Sequence, residues 1–277
     1  MDINLEAKAF FYDFPLQGKK ALADIREAGR QLFDKIAKIA KIFIKFFKTE
    51  ASLGTAALRS ITRLIRRKGD HIHSDTDKKV LTVFIHGFMS NVTAFAEYDE
   101  HFQNKCNILR VNISNTLKTI EECTEEVQDK INRYFLDEGQ SFEINLVGHS
   151  MGGIIAANFA ETYHAENFTI KNVVALGSPF KGTPHASEFS FIPSVNQMQP
   201  NSPFLARLVS KMIGNQHVKY HFACSGNDSI TPRDSAIPFG QRHHKIAEKG
   251  HLCLLYDQEI KSWVVRCLGL IDKSPYA

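Results

Sequence analysis

The strongest constraint on the fold of this chain is a glycine-rich turn around one serine, the sequence GHSMGG at residues 148–153. An apolar run that reads as a buried strand, residues 142–147, precedes the turn, and small and apolar residues typical of a helix follow it. A G-x-S-x-G between a strand and a helix is typical of a nucleophile elbow, in which the serine takes a strained backbone conformation. The pattern predicts a catalytic Ser150, with Gly148 and Gly152 accommodating the tight turn.

Strands and helices alternate along the chain from Val80 onward. Besides the strand before the turn, we predict strands at residues 80–85, 107–113, 173–176 and 218–224, and helices at 116–135 and 258–270. Alternation of this kind produces a sheet whose strands are parallel and whose two faces are covered by helices. We therefore predict an α/β fold with a mostly parallel central sheet, and we interpret the polar stretch 69–79 as a linker.

The N-terminal quarter of the chain differs from the rest in charge. Residues 35–68 hold ten Lys or Arg and one acidic residue, whereas the whole chain of 277 residues has a formal charge of only +4. On a helix, residues 35–48 would place lysines on one face and isoleucine and phenylalanine on the other. We divide the chain into a basic, amphipathic helical segment, residues 1–70, and a catalytic domain, residues 71–277.

Three interpretations of the basic segment, residues 35–68, stay open. In the first, its helix packs on the core and its lysines face solvent. In the second, the helix lies on an anionic membrane surface, and a face of Lys opposite a face of Phe and Ile is typical of such helices. Nucleic-acid binding is the weakest interpretation, because no element that reads bases is recognisable. The sequence shows no transmembrane run and no signal-peptide pattern, and its five widely spaced cysteines favour reduced, buried thiols. We expect a cytoplasmic protein that could associate peripherally with a membrane.

A serine nucleophile needs a carboxylate-oriented histidine, and in the elbow topology the acid precedes the histidine. Asp228 is the candidate acid, because it lies in a turn directly after the predicted strand 218–224. Asp234 is the rival and lies further from the strand end. His251, which follows Gly250 and precedes the last helix, is the candidate base.

Two neighbouring histidines, His243 and His244, are alternatives to His251, but their polar surroundings indicate an exposed strand or loop. The oxyanion hole needs two backbone N–H donors. One is the N–H of Met151, directly after the serine. The other is expected in the His86-Gly87-Phe88 loop after the first core strand, where the small Gly87 leaves the N–H of Phe88 facing the substrate.

Five short motifs follow one another between residues 79 and 277. They are HGF at 86–88, GHSMGG at 148–153, LGSPFKGTP at 176–184, GNDSITP at 226–232 and GH at 250–251. In this order they resemble the α/β-hydrolase superfamily, in particular bacterial triacylglycerol lipases and related esterases. The resemblance implies an α/β-hydrolase fold with a triad of Ser150, Asp228 and His251, and with Phe88 and Met151 as oxyanion donors.

The resemblance further implies a serine hydrolase that cleaves carboxylic esters, with lipid or acyl-chain esters as the expected substrates and an acyl-enzyme as the intermediate. No metal or organic cofactor is needed for this chemistry. An acyltransferase or thioesterase on the same triad, and a membrane-binding protein that keeps the fold without catalysis, stay open as alternatives. Family members often carry a lid, here residues 184–217; a helix predicted at 202–213 serves as a lid or simply packs on the sheet.

Overall fold

A seven-stranded sheet forms the centre of the computed structural model, which describes residues 69–75, 77–135, 141–238, 243–246 and 250–270, together with Glu27 and Arg30. In chain order the strands are β1 (His71–His73), β2 (Val80–Ile85), β3 (Asn107–Val111), β4 (Phe142–His149), β5 (Phe168–Leu176), β6 (Lys219–Ser225) and β7 (His243–Ile246). They lie in the order β1-β3-β2-β4-β5-β6-β7, and all pairs are parallel except β1 with β3. The predicted α/β-hydrolase architecture is confirmed.

Helices cover the sheet. They are α1 (Asp99–Phe102), α2 (Ile120–Phe135), α3 (Met151–Thr162), α4 (Pro193–Gln197), α5 (Pro203–Gly214), α6 (Arg233–Ala236) and α7 (Gln258–Cys267), with 3-10 helices at Val92–Tyr98, Pro184–Phe189 and His251–Leu255. One group, α2, α3 and α5, packs together against strands that include β4, while α7 packs with α1 and against β5 and β7. The central strands are buried almost throughout, as expected for a parallel sheet covered on both faces.

Amphipathic patterns account for the longer helices. In α2 the side chains of Ile120, Val127 and Ile131 are fully buried, whereas the residues between them, apart from Cys123 and Thr124, are exposed or partly exposed. In α5 the buried side chains are Phe204, Leu205, Leu208 and Met212. This spacing of three and four residues puts one apolar stripe against the core, which is the main source of stability for helices of this length.

Two sequence predictions differ from the structure in the sheet by more than two residues. The stretch 69–79 is not purely a linker, because His71–His73 forms β1 at the sheet edge. A run of three residues, His-Ile-His, is too short to show the alternation that marks a strand. Strand β5 begins at Phe168 and not at residue 173, since its first part alternates buried and exposed side chains and only its second part is continuously buried.

The helical interpretation of the basic N-terminal segment, and its choice between membrane and core, lies outside the described residues and stays a prediction. None of the helices that the structure describes is long and apolar enough to cross a bilayer. Of the five cysteines, four are buried and Cys267 is partly exposed. The predicted burial of most thiols is confirmed, and their reduced state stays a prediction.

Candidate active site

Ser150 lies at the junction of β4, which ends at His149, and α3, which begins at Met151. Its backbone angles are φ 56° and ψ −127°, a left-handed conformation that non-glycine residues rarely adopt. The N–H of Ser150 donates a hydrogen bond to the carbonyl oxygen of Leu176 at 2.8 Å, which fixes the strained residue to the end of β5. The sharp strand-to-helix reversal places Ser150 at the carboxyl edge of the sheet.

Two glycines permit this reversal because other backbone atoms occupy the space of a side chain. A Cβ atom on Gly152 would lie 2.1 Å from the carbonyl oxygen of Ile85, at the end of β2. A Cβ atom on Gly148 would lie 2.2 Å from the carbonyl oxygen of Gly152. The first turn of α3 therefore packs directly on two strand ends, and only glycine fits at either position.

Asp228 and His251 form a buried pair at the same edge. His251 Nδ1 and Asp228 Oδ2 are 2.6 Å apart, and their side chains are 3% and 0% exposed. The other carboxylate oxygen of Asp228, Oδ1, accepts hydrogen bonds from the N–H groups of Ile230 at 2.9 Å and Thr231 at 2.7 Å. Because Nδ1 of His251 donates to the carboxylate, Nε2 is the acceptor of the neutral ring.

A pair of adjacent residues, Leu176 and Gly177, connects the serine to this acid–base pair. The carbonyl oxygen of Leu176 accepts from Ser150, and a Cβ atom on Gly177 would lie 3.3 Å from both Asp228 Oδ2 and His251 Cε1. The structure thus brings Ser150, Asp228 and His251 together at the carboxyl ends of β4, β5 and β6.

His149, which the sequence motif contains but to which sequence reasoning gave no role, also contacts the base. Its Nε2 donates to the carbonyl oxygen of His251 at 3.1 Å, and the two imidazole rings lie 4.6 Å apart between centroids. Burial lowers the pKa of His149 well below its ordinary value, and the neighbouring His251 adds to that shift. His149 is therefore a neutral donor that fixes the His251 backbone beside the nucleophile.

The predicted oxyanion loop lies against the serine. A Cβ atom on Gly87 would be 2.9 Å from Ser150 Cβ and 3.5 Å from Ser150 Oγ. The Gly87 carbonyl oxygen accepts from Ser90 N–H at 3.2 Å, closing a turn in which Phe88 is the second residue. At the other donor, Met151 is the first residue of α3, so its N–H has no acceptor one turn earlier in the helix.

His86 anchors the first residues of this loop. Its Nδ1 donates to the carbonyl oxygen of Gly87 at 3.0 Å, and its Nε2 accepts from Ile113 N–H at 3.0 Å. These two bonds require the neutral ring, and burial lowers the pKa of His86 from 6.5 to about 4. The neutral His86 ring therefore ties the loop to the residues that follow β3.

The buried His86 makes stability depend on acid pH. The unfolded chain binds a proton at this residue below pH 6.5, but the folded chain binds it only below about pH 4. In that window the unfolded state holds more protons, so stability falls as pH decreases, by about 3 kcal/mol for such a shift. Urea unfolding at pH 7 and pH 4.5 should show a loss that is about 2 to 3 kcal/mol larger in wild type than in His86→Gln. Equal losses in both proteins would contradict this assignment.

The rival residues lie elsewhere. Asp234 is exposed in the short helix α6, whereas the Asp228 side chain is buried against His251. His243 and His244 lie in β7, whose backbone pairs with β6. Among the described residues, no group of three or more His, Cys, Asp and Glu side chains is placed to hold a metal ion.

The segment 184–217 lies between β5 and β6, close to the turn that carries Asp228. Directly before the segment, Thr183 Oγ1 donates to the carbonyl oxygen of Ile230 at 2.6 Å, and within it His185 Nε2 donates to that of Ser229 at 3.0 Å. The apolar face of its helix α5 is buried, so that face packs on the core in this conformation. Two large apolar side chains of the segment stay exposed, Phe191 at 42% and Ile213 at 61%.

A mostly parallel sheet with a strained serine between strand and helix defines the class of fold to which this chain belongs. A family model described as alpha/beta hydrolase fold matches residues 82–224, which is more than half of the chain. The chain is therefore a member of the alpha/beta hydrolase fold family.

Solved structures show the same architecture at low sequence identity. Aspergillus fumigatus lipase B superposes with a TM-score of 0.56 at 15% identity, over 72% of this chain and 56% of that one. A gene product of Listeria innocua gives a TM-score of 0.53 at 15% identity, over 71% and 96%. A structure of the metagenome-derived lipolytic enzymes LipS and LipT gives 0.54 at 11% identity, over 73% and 96%. No curated protein sequence matches this chain.

Proposed function

We propose that this protein is a serine hydrolase that cleaves carboxylic esters through Ser150, His251 and Asp228. The observation that carries the proposal is the 2.6 Å hydrogen bond between the buried Asp228 and His251, beside a serine at φ 56°. A strained serine, a neutral imidazole and a carboxylate are the groups that acyl transfer requires. Membership of the alpha/beta hydrolase fold family agrees with this assignment.

In the proposed mechanism Ser150 Oγ attacks the ester carbonyl while His251 Nε2 takes its proton. Asp228 keeps the Nδ1 proton of His251 in place and stabilises the imidazolium. The N–H groups of Phe88 and Met151 hydrogen-bond to the negative oxygen of the tetrahedral intermediate. His251 then protonates the leaving alcohol, and water activated by the same imidazole releases the acid from the acyl-enzyme.

Two observations support an ester with an apolar acyl chain. Phe191 and Leu117 are large apolar side chains left 42% and 37% exposed. They belong to two segments joined by a hydrogen bond from Ser194 Oγ to the carbonyl oxygen of Thr116 at 2.7 Å. Among the similar structures with a TM-score above 0.5 are proteins named as a lipase and as lipolytic enzymes. We therefore propose lipid or acyl-chain esters as the substrate class.

The test is hydrolysis of p-nitrophenyl esters of graded acyl length, together with labelling by a fluorophosphonate probe and mapping of the labelled peptide. We expect Ser150 to carry the label and kcat/KM to rise from the acetyl to the octanoyl ester. Each buried methylene contributes about 0.8 kcal/mol, or roughly four-fold in kcat/KM. A label elsewhere would contradict the serine mechanism. If activity were highest on the acetyl ester, the proposed hydrolase activity would stand, but the proposed preference for acyl-chain esters would be wrong.

A further inference from the structure

Thr116 lies between the oxyanion loop and the segment 184–217 and is hydrogen-bonded to both. Its Oγ1 accepts from the N–H of Met89 at 3.0 Å. Its carbonyl oxygen accepts from Ser194 Oγ, in α4, at 2.7 Å. Thr116 is 7% exposed and Ser194 is fully buried, so water does not compete strongly for either bond. One residue therefore connects α4 to the loop that carries Phe88.

The loop needs such a support because Met89 is in an unfavourable conformation. Met89 has φ 48°, and it is the third residue of the turn closed between the Gly87 carbonyl and the Ser90 N–H. A positive φ at this position is normally supplied by glycine or asparagine, because a Cβ atom crowds the neighbouring carbonyl. Without a partner for its N–H, Met89 would relax toward negative φ, and the turn that holds Phe88 between Gly87 and Met89 would change shape.

We propose that Thr116 is a positioning residue for the oxyanion hole. By accepting the Met89 N–H it keeps the turn in the conformation that directs the Phe88 N–H at the substrate oxygen, and Ser194 fixes Thr116 from the other side. This inference rests on the proposed hydrolase function, in which Phe88 is an oxyanion donor. It makes the geometry of the oxyanion hole depend on the same residue to which α4 is bonded, through the Thr116 hydroxyl on one side and the Thr116 carbonyl on the other.

Contacts between α4 and α2 fix the position of Ser194. Gln197 Oε1 accepts from Ile120 N–H at 2.6 Å, and Gln197 Nε2 donates to Glu121 Oε2 at 2.6 Å. These bonds place α4 on the first turn of α2, a few residues after Thr116. Ser194 therefore belongs to a helix that is itself fixed on α2, and its hydrogen bond to Thr116 connects the oxyanion loop to this fixed position.

The kinetic test compares Thr116→Val, which keeps the shape but loses the acceptor, with Thr116→Ser, which keeps the hydroxyl. We expect Thr116→Val to lower kcat about 10-fold with KM within about two-fold, because a displaced donor weakens transition-state stabilisation more than substrate binding. Thr116→Ser should stay within about two-fold of wild type in kcat. An unchanged kcat in Thr116→Val, or a rise in KM alone, would overturn the proposal.

Ser194→Ala gives a second route should Thr116→Val not fold. It should lower kcat in the same direction by about three-fold, and the double variant should be no slower than Thr116→Val alone, because both act through one residue. Full additivity in kcat would show that Ser194 acts independently of Thr116, and would overturn the anchoring part of the proposal.

Hydrogen exchange at the Met89 amide separates this inference from the proposed function, because it needs no activity. We expect faster exchange at Met89 in Thr116→Val but not in Thr116→Ser. Unchanged exchange would overturn the positioning role. If wild-type turnover did not depend on Ser150, the proposed function would fail, whereas the Met89 exchange would still decide whether Thr116 holds the loop.

Discussion

Replacing Ser150 by alanine is expected to lower kcat for ester hydrolysis about 10⁶-fold, because the hydroxyl that attacks the ester and gives its proton to His251 is lost. The alanine keeps the left-handed backbone and the hydrogen bond to Leu176, so the fold should be retained. Steady-state turnover of the octanoyl p-nitrophenyl ester measures the loss, and thermal unfolding followed by circular dichroism verifies the fold.

Ser187→Ala is a suitable control for this variant. Ser187 is an exposed serine in the 3-10 helix Pro184–Phe189, and its hydroxyl donates to the carbonyl oxygen of Pro184 in the same helix. Its kcat should match wild type within experimental error. Comparable activity of Ser150→Ala and wild type would refute the serine mechanism.

The second large effect is expected from Asp228→Asn, which should lower kcat about 10⁴-fold. The N–H groups of Ile230 and Thr231 both point at Asp228 Oδ1, so the amide oxygen of asparagine must occupy that position. Its NH₂ group then faces His251 Nδ1 and can only donate. The imidazole is forced into the tautomer with hydrogen on Nε2, which cannot accept the proton of Ser150.

Asp234→Asn is the matched control, since Asp234 is the exposed carboxylate of α6 that competed with Asp228 on sequence grounds. It should change kcat less than two-fold, as expected of an exposed side chain away from the reacting atoms. The comparison is made at a saturating concentration of one soluble ester. If Asp228→Asn kept more than a tenth of wild-type kcat, or if Asp234→Asn were the slower variant, the acid would be wrongly assigned.

The sequence predicted those parts of the site that depend on local pattern. The elbow around Ser150 is recognisable because two backbone contacts, at Gly148 and Gly152, admit no side chain. Asp228 and His251 were recognisable because each follows a strand or precedes a helix in a fixed chain order. The structure places these residues together, while their catalytic roles stay proposals.

Contacts between distant, chemically ordinary residues could not be predicted from the sequence. The bond from His149 to the His251 carbonyl spans 102 residues, and that from Ser194 to Thr116 spans 78. Neither the histidine next to the serine, His149, nor the loop threonine, Thr116, lies in a sequence pattern that indicates which residue it contacts. Strand β1 was missed for a related reason, because its three residues are defined by pairing with β3 and not by their own periodicity.

The buried cysteines give the protein built-in reporters of local opening. The thiolate is the form that reacts with alkylating reagents. Burial raises the pKa of Cys106, and it raises the pKa of Cys123 and of Cys267 to about 12. Cys253 lies two residues after His251 in the same 3-10 helix, and Cys224 lies inside β6. Alkylation of a buried thiol such as Cys224 or Cys253 therefore follows the opening of the element that carries it. The rate at Cys253 measures how often the segment that carries His251 separates from the sheet.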